Sequence, residues 1–198
     1  MRSGTPGEAM RKSSIIAVAA AFGLGGLVGA LAWFAAGWAN HAAVSNGRPV
    51  WTEVQWPFLV DQWGKGKAFQ CKAADCGAEV NLYIRAKIGF CNCATGVADD
   101  EELERLSDFD LMGSRIANLG AGRPIHVGWM NGRSRSYLIS NPVRSGKAAL
   151  SVAFNDRCDA IVATIVLDHD RPEAIEPRVI EFLNGNTVMR WAEVTLGL

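Results

Sequence analysis

The chain has 198 residues, 49% of them hydrophobic and 20% charged, and its 20 basic and 20 acidic residues give a formal net charge of zero. That length accommodates one ordinary domain plus an accessory segment. The charge balance excludes a generally basic nucleic-acid binder, and the apolar content excludes a disordered polyampholyte.

Ile15 to Ala36 reads IIAVAAAFGLGGLVGALAWFAA, 22 residues without a charge. About 20 apolar residues in a helix cross a hydrocarbon core of roughly 30 Å. Arg2, Arg11 and Lys12 precede the run, and the next basic residue is Arg48. This asymmetry keeps the N-terminus in the cytoplasm and exports the C-terminal remainder of the chain. Trp33, Phe34 and Trp38 mark the exit end as an aromatic belt would. The organisation read from this is a cytoplasmic segment 1–14, a transmembrane signal-anchor 15–36, a linker 37–50 and an extracytoplasmic domain 51–198. The expected place is a bacterial inner membrane, crossed once, with the C-terminal domain in the periplasm. Met10-Arg11-Lys12 would serve equally as a start. The alternative is a signal peptide cleaved after Ala39, although the apolar run exceeds the usual h-region. Ala17, Ala21, Gly25 and Gly29 recur every four residues and form a small-residue stripe, the pattern that lets membrane helices self-associate or dock on a membrane protein.

In the exported part, Thr52, Val54 and Trp56 alternate with polar residues and predict a strand ended by Pro57. Residues 67–71 and 79–86 predict a pair of strands. Asp99 and Glu102 have capping-box spacing and open a short helix with Leu103 and Leu106 inward. Ile125, Val127 and Trp129 lead to Asn131-Gly132, which predicts a two-residue type I′ turn. That register sets Trp129 opposite Ser134 and His126 opposite Tyr137. Leu150, Val152 and Phe154 alternate in another strand, and 160–167, apolar on both faces, reads as a central strand. A helix starting at Asp170, with Asp170 as its N-cap and Pro177 as a possible break, ends at Asn184-Gly185. The stretch TVMRWAEV reads as a last strand. The fold class is α+β: a mostly antiparallel sheet with two short helices packed on it, stapled by disulfides.

The disulfide candidates are Cys71, Cys76, Cys91, Cys93 and Cys158, since an oxidising compartment favours bridges over free thiols. Cys71 and Cys76 enclose four residues and can close a hairpin. Cys91 and Cys93 point in parallel along an extended chain, so they reach toward other partners, with Cys158 one candidate. The remaining connectivity stays open. Neither close pair has zinc-finger spacing, and no metal or cofactor is expected. The alternative is thiol-redox or copper handling by Cys71, Cys76, Cys91 and Cys93. A hydrolase using His126 or His169 is a further alternative, without a recognisable nucleophile motif.

Charge is segregated along the chain. Residues 98–110 hold seven acids and one base, whereas 111–155 hold no acid and six bases, Arg115, Arg123, Arg133, Arg135, Arg144 and Lys147. The two segments either neutralise each other or leave a basic hairpin face free. A free face built on Arg123, Trp129, Arg133, Arg135 and Tyr137 would suit a partner protein or anionic lipid headgroups. The functional expectation is a membrane-anchored accessory or assembly factor that binds a membrane protein or complex.

Overall fold

The computed structural model describes residues 48–198 except 113–114, 142–143 and 169–170. The apolar run 15–36 with its stripe Ala17, Ala21, Gly25 and Gly29, together with His169 and Asp170, lies outside the described residues. Among the described residues no helix is long and apolar enough to cross a membrane.

The elements run in chain order as β1 (Trp51–Val54), β2 (Lys67–Cys71), the one-turn α1 (Ala73–Cys76), β3 (Val80–Lys87) and α2 (Asp100–Leu106). A 3-10 turn (Phe109–Leu111) leads into β4 (Arg115–Asn118), β5 (Arg123–Val127), β6 (Met130–Asn141), β7 (Arg144–Asp156) and β8 (Asp159–Leu167). Two helices, α3 (Pro172–Leu183) and α4 (Asn186–Leu196), close the chain. The strands form a single sheet in the order β1-β2-β3-β8-β7-β6-β4, with β5 also on β6, and every pairing is antiparallel. β8 is the central strand, as its continuous apolar run requires. The strands β4 and β5 lie end to end along the same edge of β6.

One face of the sheet carries the main core. Leu82, Ile84, Leu150, Val152, Phe154, Ile161, Ala163 and Ile165 alternate inward and meet Ile175, Val179 and Leu183 of α3 and Val188 and Ala192 of α4. Pro172 opens α3 at its first turn, where its missing N–H costs nothing, and Pro177 sits within the helix without ending it. Arg171, not a side-chain cap, occupies the N-cap position. The opposite face is covered by α2, whose Leu103 and Leu106 pack on Ala153, Ala160 and Val162. Asp99 caps α2 by accepting the Glu102 N–H at 2.8 Å.

Three expectations are corrected. TVMRWAEV is helical, because Val188 and Ala192, four residues apart, both bury against the core while Val194 faces solvent. Among the described residues, α4 and the one-turn α1 thus add to the two short helices expected on the sheet. The hairpin turn is Gly128-Trp129, three residues earlier than Asn131-Gly132. Gly128 takes φ +58, and the register pairs Val127 with Met130, His126 with Asn131 and Arg123 with Ser134. Gly132 is instead a strand residue. A Cβ there would sit 2.3 Å from the Ala153 carbonyl oxygen, so glycine allows β6 to approach β7. Tyr137 consequently faces Asn118 and Ala149, not His126.

Candidate functional site between two straps

The second face of β3 carries Asn81, Tyr83, Arg85 and Lys87, alternating with the core residues Val80, Leu82 and Ile84. Such a polar row reads as a solvent-facing surface. Two irregular segments cover it instead. The first strap, residues 55–64, comes directly after β1. Its Trp56 and Phe58 rings meet Tyr83 edge-on, with centroids at 6.2 and 4.8 Å, and Trp63 packs on Phe90 at 4.7 Å. The second strap, residues 107–112, comes directly after α2. Ser107 Oγ lies 2.6 Å from Ser151 Oγ, and Phe109 packs on the buried Tyr137 at 4.5 Å.

Arg85, 1% exposed, joins the two straps. Its Nε and Nη2 donate to Asp108 Oδ2 and Oδ1 at 2.7 and 2.6 Å, and its Nη1 donates to both Asp61 oxygens at 2.7 Å. Lys87 Nζ adds a 2.9 Å contact to Asp108 and lies 5.5 Å above the Trp63 ring. Two cations thus meet two carboxylates, which is what burying an arginine requires. Hydrogen bonds from Arg85 hold the Asp61 carboxyl below its ordinary range against an opposing effect of burial. Burial alone would lower the basicity of Arg85, but Asp108 and Asp61 outweigh it and raise it.

Two separate clefts lie along the straps near this bridge. One, of about 280 Å³, is mixed in character: Phe58, Leu111, Met112, Ile139 and Val166 line it together with Asn81, Tyr83, Ser140 and Lys147. Burial raises the pKa of the Tyr83 hydroxyl, so it stays a neutral donor. The other, of about 370 Å³, is charged and aromatic, with Trp63, Lys87, Phe90, Arg105 and Asp110 in its wall. A cleft that combines apolar side chains with a few convergent polar groups has the general character of a binding site.

The residues expected for a basic docking face are placed differently from one another. Arg133 pairs with Asp100, and Arg135 donates to Glu104 at 2.6 Å and to the Gly120 carbonyl at 2.6 Å. The acidic α2 and the basic β6 therefore neutralise each other within the fold. Tyr137 is fully buried, and burial pushes its hydroxyl up to about 12. Arg123 contacts the buried Glu176 of α3 while its own side chain is largely exposed. Trp129, 55% exposed at the turn, is likewise open to solvent.

Cys71 and Cys76 are bridged, as are Cys93 and Cys158. Cys91 is a free, buried thiol, pushed up to about 11 by burial first and by Glu102 second. Its N–H donates to the Cys158 carbonyl at 3.0 Å, which tucks it beside the bridge without joining it. Among the described residues no group of three or more His, Cys, Asp or Glu side chains is placed to hold a metal ion. His126 faces solvent on β5.

Sequence reasoning missed Asp61, Arg85, Lys87 and Asp108. A signal was present: WPFLVDQW sets an acid among aromatic residues after a strand, a segment too apolar to be a bare loop. No protein-family model matches the chain, and no curated protein matches it in sequence.

Proposed function

We propose that the chain is a membrane-anchored, extracytoplasmic accessory factor that holds a segment of a partner membrane protein in the groove between its two straps. One observation carries this reading: the cleft with Phe58, Leu111, Met112 and Ile139 in its lining lies between two straps that Arg85 ties together. A preformed cleft loses little freedom on binding, and aromatic and methionine side chains are the residues that anchor interfaces. The uncharged run 15–36 supports anchoring, and its position ahead of a domain with two disulfides supports export. The inward pairing of Arg133 and Arg135 favours the groove over the hairpin as the docking face. No specific observation favours the thiol, copper or hydrolase alternatives: four cysteines are bridged and the fifth is buried.

The test is a photocrosslinking amino acid at Met112 in the full chain, illuminated in its native membranes. A single membrane-protein adduct is expected, and it should be lost when Val166→Trp fills the groove floor. An adduct indifferent to Val166→Trp, or none at all with the variant as stable as the wild type, would reject the groove as the docking face.

A further inference from the structure

The sheet ends at β4, and no described element covers its outer side. Arg115 to Asn118 are all exposed, as are Leu119 to Ala121 after them. The Leu119 N–H continues the ladder, donating to the Ser136 carbonyl at 2.9 Å. In an antiparallel ladder alternate residues turn both backbone groups toward the same neighbour. Leu119, Ala117 and Arg115 therefore turn theirs toward β6. Ile116 and Asn118 each hold an N–H and a C=O outward, with no strand to meet them. A row of this kind is a template for another strand. The rest of the perimeter is less open. β5, on the same edge, carries Pro124, which has no N–H, and at the far edge Glu53 of β1 is already bound to Lys67.

Charge selects the occupant. Residues 111–155 contain no acid. Of their bases, Arg123, Arg133, Arg135 and Lys147 are paired within the fold, with Glu176, Asp100, Glu104 and Asp168. Arg115, at the first position of the open edge, is exposed and has no such partner among the described residues. A second copy of the chain would bring another Arg115 and no acid to this edge, so self-pairing gains nothing from charge. Side chains directly opposite on neighbouring strands lie about 5 Å apart, so an Asp or Glu facing Arg115 completes a cross-strand pair. Ile116, Leu119 and the neighbouring Leu138, all exposed, offer apolar surface to the other residues of such a strand.

We infer that β4 takes up an extended, acidic segment of a partner protein as a further strand of the sheet. The outward backbone groups of Ile116 and Asn118 supply the affinity, and Arg115 supplies the preference for an acid. This surface is additional to the cleft between the straps and does not depend on its occupancy.

The test selects short peptides from a displayed random library on the full chain in detergent. The selected peptides should be rich in Asp and Glu, bind several-fold more weakly to Arg115→Gln and lose binding to Asn118→Pro. That proline removes an outward N–H and no ladder bond, so the variant should unfold at the wild-type temperature. In the wild type, a selected peptide should slow amide exchange of Ile116 and Asn118, a readout independent of any variant. Val166→Trp, which fills the cleft, should leave peptide binding unchanged. Peptides without an acidic bias, binding indifferent to Asn118→Pro, exchange of Ile116 and Asn118 unaltered by peptide, or no binders at all would overturn the inference. Peptides lost with Val166→Trp alone belong to the cleft and equally overturn it. A chain that sediments as a dimer with Asn118 and as a monomer with Asn118→Pro would assign the edge to a second copy and overturn the acidic occupant.

Discussion

Asp108 receives Arg85 through two parallel contacts, Nε to Oδ2 at 2.7 Å and Nη2 to Oδ1 at 2.6 Å, with both side chains almost wholly buried. Removing one member of such a pair leaves a charge without its partner in a dry site, at a cost of about 3–5 kcal/mol. Asp61, on the other arm, has a side chain 34% exposed, and water can replace its partner. Arg85→Met and Asp108→Asn are thus expected to lower unfolding free energy by about 3–5 kcal/mol. Asp61→Asn should cost at most about 1 kcal/mol. Urea denaturation of the three variants tests the order, and equal losses for Asp61 and Asp108 would show that the arms are not distinct.

The same arm gives a pH dependence. The folded Asp61 titrates below its ordinary value of 3.8, so its contribution is present above that pH and is lost as pH falls through the lower, folded value. The first strap should loosen in this acid window while the sheet stays folded. The emission of Trp63, isolated as the difference from Trp63→Phe, should change there and should lose that step in Asp61→Asn. A step unaltered by Asp61→Asn would assign the titration elsewhere.

The two disulfides close loops of very different length, with sequence separations of 5 and 65. By loop-closure entropy the longer bridge contributes about 4 kcal/mol and the shorter about 2 kcal/mol. Serine replacement of Cys93 together with Cys158 should therefore destabilise the domain more than replacement of Cys71 together with Cys76. Alkylation of the native protein should leave Cys91 unmodified, because the thiol is buried and protonated, and one thiol should react after denaturation without reductant. Rapid labelling of the folded protein would contradict this.

Two glycines near the hairpin make opposite demands. Gly132→Ala drives a Cβ against the Ala153 carbonyl and the Phe154 side chain, within a pairing that cannot widen, and should cost about 1–3 kcal/mol or more. Gly128→Ala meets only the flexible end of Met189, so its cost is the positive φ, about 1–2 kcal/mol. Gly128→Asn should recover part of that loss, because asparagine tolerates the left-handed region. Thermal unfolding of the three variants distinguishes these effects.

Features set by near neighbours are the ones legible in the sequence. The α2 cap, the central β8 run and the Cys71–Cys76 closure depend on residues close by in the chain, and each is found. The Asn131-Gly132 turn is displaced because a local preference for a primed turn loses to a long-range need, the close approach of β6 to β7. TVMRWAEV misleads because its apolar positions satisfy a period of two about as well as a helical one over so short a stretch, and packing against β3 and α3 decides the matter. The groove is invisible for a further reason. Arg85 and Lys87 alternate with core residues just as solvent-facing residues would, and only the folded chain brings Asp61 and Asp108 over them. The segregation of acids in 98–110 and bases in 111–155 is plain in the sequence, but its use is not. Much of it joins α2 to β6.

Occupancy of the groove by a partner segment is tested most directly by amide hydrogen exchange. The full chain in its native membranes is compared with the same chain purified alone in detergent. Added protection is expected in 57–63 and 107–112 when the partner is present, with α3 and the central strand β8 unchanged. Equal exchange of both straps in the two states, or protection confined to the Gly128-Trp129 turn, would contradict a partner held between the straps.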